Sequence, residues 1–406
     1  MSRDYTYLLP PAIPIAFSGL QALASNVMLG SKVKIWKQDP TVEPIGIRTA
    51  YIHTPVENGP KDAEIEIQGM PVTMANADND FLFDPGENPS EFDSVHTFTV
   101  VRQVLTLYQR ALKRNEIADD FHWQWGPGTP IAVYPRAGMD ANAYYSRGEK
   151  ALRFFYFHPG GDDSVPLVYT SRSFDIAAHE TGHAVLDALR PGYWASWHPQ
   201  TGGLHESFGD LTAIFTMLAQ LDQCEAILAE SKGDLHSKTF FPAVAEQFGQ
   251  ALGRSMGLRN ADNDLKLSDV SNEVHEVSQV FTGAVYDILA DIFEVYQKPD
   301  EYDQAETLFR VGKHMTALVI LALLQGPEKN ATYQDIAQAM IQIEPVDEWK
   351  QFIENQFTKR EVLGGPAGLA AEKAQELDWD KCCGTLKHPN HMRDTEAAIK
   401  KALKKK

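Results

Sequence analysis

The sequence predicts an α+β fold in two lobes that meet near residue 171. Two observations carry this. Short stretches with strand-like alternation dominate the first 170 or so residues, and long runs with helical apolar spacing dominate the rest of the chain. The chain's 406 residues are enough for two compact domains, or one large one with an internal cleft. A 43% hydrophobic and 23% charged composition excludes a disordered, fibrous or membrane-embedded chain. With 55 acidic against 37 basic residues, the net charge of −18 argues against a nucleic-acid partner. The one dense basic run, Lys400-Lys401 to Lys404–Lys406, reads as a solvated helix end.

Taken in order, residues 1 to about 90 are rich in Pro, Thr, Val and Asp, with alternation over Lys32–Trp36 and Ala63–Ile67, and read as strands joined by turns. Residues 94–113 carry helical spacing through Val95, Phe98, Val101, Leu105 and Leu112. Strand character returns at 132–134, 152–157 and 165–169. Helical patterns follow at 171–190, 203–221, 278–296, 304–325 and 332–343. The expected division is a β-rich lobe over 1–173 with one long helix, a helix over 174–190 where the lobes meet, and a mainly helical lobe over 191–406. NADND occurs twice, at 76–80 and 260–264. Cys224, Cys382 and Cys383 supply neither a disulfide framework nor zinc-ribbon spacing. The N-terminal stretch lacks the basic start and unbroken apolar core of a secretory signal. The longest apolar run, Met315–Leu324, is too short to cross a bilayer. The expectation is therefore a cytoplasmic protein with no membrane partner; its oligomeric state is not legible.

Chemistry concentrates at His179-Glu180-Thr181-Gly182-His183, with the helix stop Arg190-Pro191-Gly192 behind it. Residues four apart share a helix face, so both imidazoles can reach one metal ion. Glu180, offset by one position, can hold the metal's water without being a ligand. A catalytic zinc needs a third protein ligand and an open position. The next helix supplies one. Leu204, Phe208, Leu211, Phe215 and Leu218 form its apolar stripe, and Glu206 and Asp210 stand four apart on another face. Glu206 would be the ligand, and Asp210 would accept the outer N–H of a zinc-bound histidine. The bland alternative is a solvated helix face. His205 is turned about 100° from Glu206 and reads as a packed or surface histidine.

These residues resemble the thermolysin-like zinc metallopeptidases, the glutamate-ligand HExxH group. The resemblance extends in patches over roughly 74–290. It implies a two-lobed fold with the active-site cleft between the lobes. DANAYY at 140–145 resembles the family's edge strand that holds an extended peptide, implying Asn142 and Ala143 as substrate-binding residues. Asp175 is similar to an acidic position of the family. GRSM at 253–256 resembles the segment with the arginine that binds a substrate carbonyl, implying Arg254. The segment 274–289 resembles the one carrying the transition-state histidine, implying His275, with Asp269 as the acid that orients it. Tyr193 is placed like the family's tyrosine with the same task, and Ile176 like an aliphatic lining of the substrate pocket.

The chemistry is consistent with this set. Hydrolysis of an amide by a zinc-activated water builds negative charge on the carbonyl oxygen, which needs a Lewis acid and hydrogen-bond donors aimed at it. Glu180 would take the water's proton and pass it to the leaving amine. There are departures. The gap between His183 and Glu206 is a few residues longer than in the family's type member. Met217 stands where the family's double-calcium site needs an acid, so Asp175 is expected to find another partner. No pro-segment is recognised before the first lobe. Asn76, Asp78 and Asp80, in the stretch 75–88, resemble a calcium loop of the same family; Asn and Asp are equally good turn formers, and both readings stand.

The resulting expectation is one zinc per chain in a peptidase that cuts internal bonds of proteins or oligopeptides, with a peptide or protein as its partner. A zinc aminopeptidase shares the same zinc set, and a catalytically idle zinc-binding scaffold is the rival from another class.

Overall fold

A computed structural model describes residues 30–42, 45–116, 121–194, 196, 198–253 and 257–364. The strand-rich part comes first. β1 (Ser31–Trp36) and β2 (Ile47–Ile52) pair antiparallel, Ser31 opposite Ile52. β3 (Ile65–Ile67), β4 (Ile131–Tyr134), β5 (Ala143–Ser146) and β6 (Ala151–Phe154) form one sheet in the order β3-β4-β6-β5. The β3–β4 and β4–β6 pairs are parallel, and β5 returns antiparallel on β6. This leaves β5 at an edge. β7 (Tyr156–Phe157) and β8 (Val168–Tyr169) make a short antiparallel pair.

α1 (Pro89–Arg114) starts five residues before the apolar periodicity, because Pro89 suits a first-turn position where no N–H is needed. It packs on β1 and on α2 (Phe174–Leu189). Ser173 caps α2, its Oγ accepting from the Ile176 N–H. A single turn, α3 (Pro191–Trp194), leads into α4 (Pro199–Leu218). Every residue of α4 is buried, against α2, α7 (Val274–Val295), α8 (Gln304–Gln325) and α5 (Leu221–Ser231). The polar face of α4 is therefore not solvated.

β9 (Ala243–Val244) and β10 (Arg259–Asn260) form a small hairpin around α6 (Glu246–Ala251). α9 (Tyr333–Ile343) opens with a capping box between Thr332 and Asp335, and α10 (Asp347–Lys359) closes the described chain. By length and composition α8 could cross a bilayer, but it is mostly buried, packed on α4, α5 and α9, as a core helix is.

α5, α10 and the β9–β10 hairpin are not among the expected elements; the strands of the hairpin, two residues each, are too short to carry a periodic signal. α7 begins four residues earlier than its apolar spacing suggests, because the Glu273 carboxylate caps it by accepting from the N–H groups of His275 and Glu276.

Glycine decides how closely α2 and α4 cross. A Cβ on Gly182 would lie 2.7 Å from Thr212 Oγ1 and 3.2 Å from the Gly209 Cα, and one on Gly209 would lie 2.6 Å from the His179 ring. Gly209→Ala should push that ring off its partners and cost about 1–3 kcal/mol through overpacking. Denaturant midpoints would measure it; a wild-type midpoint would mean that the two helices can part freely.

Candidate metal centre

The crossing of α2 and α4 brings three ligand atoms together. His179 and His183, one turn apart on α2, present Nε2 atoms 2.9 Å from each other with their rings nearly perpendicular. Glu206 on α4 completes the set: Oε2 is 3.5 Å from His179 Nε2, and Oε1 is 3.6 Å from His183 Nε2. Ligand atoms about 2 Å from one tetrahedral ion lie roughly 3.3 Å apart, so the donor set fits a divalent cation such as zinc. All three side chains are buried, and together they form a group that could hold a metal.

Hydrogen bonding assigns the tautomers. Asp210 Oδ1 lies 2.9 Å from His179 Nδ1 and accepts its proton, leaving the Nε2 lone pair toward Glu206 and His183. Two facing imidazole nitrogens at 2.9 Å need a cation or a proton between them. The Nδ1 of His183 faces that of His205 at 3.4 Å, so His205 is a buried packing partner. Burial, above all, holds His183 well below the usual imidazole range, which keeps it neutral and able to ligate. Burial alone would raise Glu206, but the nearby His275 and His183 outweigh it and hold the carboxyl well down. Asp210 stays ionised, near 2, because the Arg259 guanidinium and the His179 hydrogen bond outweigh its burial.

Glu180 stands beside the ligands. Its Oε2 accepts from the Tyr145 N–H of β5 at 3.0 Å, and its buried Oε1 has no hydrogen-bond partner among the described residues. Burial pushes its carboxyl up to about 8, a shift that a cation at the three ligands would oppose. β5 is held onto α2 by Asp187, which accepts from the Tyr145 hydroxyl at 2.7 Å and from Arg147 Nε at 2.8 Å. At the start of β5, the Asn142 amide is buried, and neither of its polar atoms has a partner among the described residues. Ala143 is the first residue of the strand.

His275, in the first turn of α7, points Nε2 to within 3.5 Å of Glu206 Oε2. Glu273, not Asp269, orients it: Glu273 Oε1 is 2.6 Å from His275 Nδ1, whereas the Asp269 carboxylate accepts the Lys266 backbone N–H. The cap two residues before a histidine was the available signal. The tyrosine is also corrected. Tyr193 is fully buried, and its hydroxyl faces Gly326 at the end of α8, with Arg190 and Asp335 as the charges around it.

Arg254 lies outside the described residues. The arginine in the centre is Arg259, missed in the sequence: Nε is 2.7 Å from Asp210 Oδ2 and Nη2 is 2.6 Å from Oδ1. Only the β9–β10 hairpin brings it there. Ile176 is 1% exposed and sits in the core, not on an open wall.

The calcium positions behave differently. Asn76 Oδ1 accepts from the N–H groups of Asp78 and Asp80, both at 2.9 Å, and Asp80 Oδ1 accepts from the Lys32 N–H at 2.7 Å. Asp78 is exposed. These are turn bonds. The second NADND supplies Asp262 to a group with His236 and Asp287, but Asp287 is already paired with Arg360 at 2.9 Å. Asp175 takes the Ala245 N–H at 3.1 Å, with Asp39 and Glu246 beside it. The position that would complete a double-calcium set is Met217, whose sulfur accepts from Gln38 Nε2 at 3.9 Å. A thioether is no ligand for a hard cation, so this cluster does not fit the paired arrangement.

No family model matches the chain, and no curated protein matches it by sequence. Among solved structures it is similar to the precursor of protealysin, a metalloproteinase from Serratia proteamaculans. The identity is 12% over 83% of this chain and 90% of that one, with a TM-score of 0.46. At this level of likeness the reading of the centre rests on its own geometry.

Two outcomes are expected. Glu206→Gln should strip most bound metal, read by elemental analysis; unchanged occupancy would remove Glu206 from the ligand set. Burial first, then mutual repulsion, raises the carboxyls of Asp175 and Glu246, and burial raises Asp39. The native state then holds protons that the unfolded chain releases, so their stabilising effect is lost as pH rises through the raised values. In chelator-treated protein, Asp175→Asn should flatten the fall in melting temperature between about pH 5 and 8 relative to wild type. Parallel curves would contradict this.

Proposed function

We propose that this chain is a zinc-dependent peptidase that hydrolyses internal peptide bonds of proteins or oligopeptides. The observation that carries the reading is a buried carboxylate oxygen without a partner, Glu180 Oε1, beside three converging ligand atoms and tied to an edge strand. His179, His183 and Glu206 would hold the ion. A bound zinc would supply Lewis acidity at the substrate carbonyl and acidify the attacking water.

The chain's own residues do the rest. β5 receives the substrate main chain as an added strand, and the unsatisfied Asn142 amide offers it a donor and an acceptor. Glu180, fixed in direction by the Tyr145 N–H, takes the proton of the attacking water on Oε1 and hands it to the leaving amine. His275, oriented by Glu273, donates to the carbonyl oxygen as negative charge builds there. Arg259 and Asp210 lock the ring of His179, and the guanidinium adds positive charge at the rim. The two-lobed arrangement, with a cleft between a β-rich and a helical part, belongs to this reading.

Glu180→Gln should keep metal and fold but lose roughly 10²–10⁴ in peptidase rate. His275→Ala should lower kcat by about 10²–10³ while changing KM far less. Activity surviving in Glu180→Gln would refute the mechanism. A strong preference for a free-amine substrate over its N-acetylated form would assign an aminopeptidase instead. Wild-type protein that binds zinc but cleaves neither casein nor quenched peptides would assign an idle scaffold.

A further inference from the structure

A second site lies away from the metal centre. A cavity of about 660 Å³ opens between β2, the second half of α1, the end of α4, α8 and the segment after α9. It is within the size range of small-molecule sites. One part of its wall is apolar, through Ile52, Leu107, Ala111, Leu318, Leu321 and Ile343, and the rest is polar, with Thr49, Gln103, Thr106 and Thr316.

The charges around it do not balance. Lys37 is paired with Asp222 at 2.9 Å, Arg102 with Asp62 at 3.0 Å and Glu64 at 2.6 Å, and His314 with Glu344 at 2.7 Å. Arg110, Arg114 and Lys313 remain, lining the same cavity with no carboxylate partner among the described residues. Arg110 and Arg114, one turn apart on α1, are exposed at the rim; Lys313 on α8 is half-buried, its ammonium 4.9 Å from the Phe309 ring centroid. Burial first, then the charges of Arg114, Arg310 and Arg110, pushes Lys313 down to about 8. Like charges crowd here in a chain whose net charge is −18. Such crowding is relieved by an anion, and two guanidinium forks suit a carboxylate. A bare anion would leave the apolar wall uncovered, whereas an acyl chain would cover it.

We propose that this cavity binds a medium-chain fatty acid, its carboxylate held by Arg110, Arg114 and Lys313 and its alkyl chain laid along the apolar wall. The site is independent of the peptidase reading. It meets α4 at Thr216, ten residues along the helix from Glu206, or roughly 15 Å, and the chain just after it at Ala219 and Gln220.

The test is isothermal titration of the full chain with dodecanoate, alongside methyl dodecanoate and inorganic phosphate. Dodecanoate should bind in one-to-one ratio, with the ester and phosphate each at least about tenfold weaker. Arg114→Ala combined with Lys313→Ala should weaken dodecanoate at least about tenfold, and Ala317→Phe, which fills the cavity, should do the same. Melting curves would verify that each variant folds. The proposal is overturned by no binding of dodecanoate to the wild type, by equal binding of the ester, or by unchanged binding in both folded variants. None of these results depends on peptidase activity.

Discussion

The metal centre depends on one close approach. α2 and α4 cross where Gly182 and Gly209 leave no side chain between them, and that contact seats the ring of His179 against α4. Any larger residue would hold the helices apart and separate Glu206 from the two histidines. Because α4 is buried along its whole length, its acids cannot turn to solvent. Each must find a positive or metal-ligating partner, or remain neutral.

From that crossing a series of charge pairs runs outward. Arg259 fixes Asp210, Asp210 fixes the tautomer of His179, and Glu273 fixes His275 opposite. On the other side, Asp187 ties β5 to α2 through Tyr145 and Arg147, while the Tyr145 N–H aims Glu180. The edge strand and the Glu180 carboxylate are thus held by the same residue. Orientation is set before any ligand arrives, which is what a preorganised site requires.

The same constraint explains which acids do not ligate. The buried acids around Asp175 lie against Met217 and Gln38, where a cation would need another oxygen; they are accommodated by raised proton affinity instead. In the loop 76–80, Asn76 and Asp80 commit their oxygens to backbone N–H groups, so the repeated pentapeptide serves turn geometry there. At its second occurrence Asp262 pairs with His236. One string of residues does two different local tasks.

Interactions within a turn or two of chain were legible from residues alone. The i, i+4 spacing of His179 and His183, the Glu206–Asp210 pair and most helices follow from helical period, which is a local property. The strand register that makes β5 an edge and the arginine on Asp210 were different. Arg259 sits on a two-residue strand with no periodic signal, whereas Glu273 stands two residues before His275, where a helix cap beside a histidine was a signal to hand. Tyr193 shows the reverse: a suggestive spacing, but a buried side chain whose hydroxyl faces Gly326 at the end of α8. By itself the sequence determined the α+β class and the residue types that can hold a metal, because periodicity and ligand chemistry are written in neighbouring positions. That Arg259 reaches Asp210, and that Lys313 meets Arg110 and Arg114 at one cavity, only the tertiary structure decided, because each of these contacts joins segments far apart in the chain.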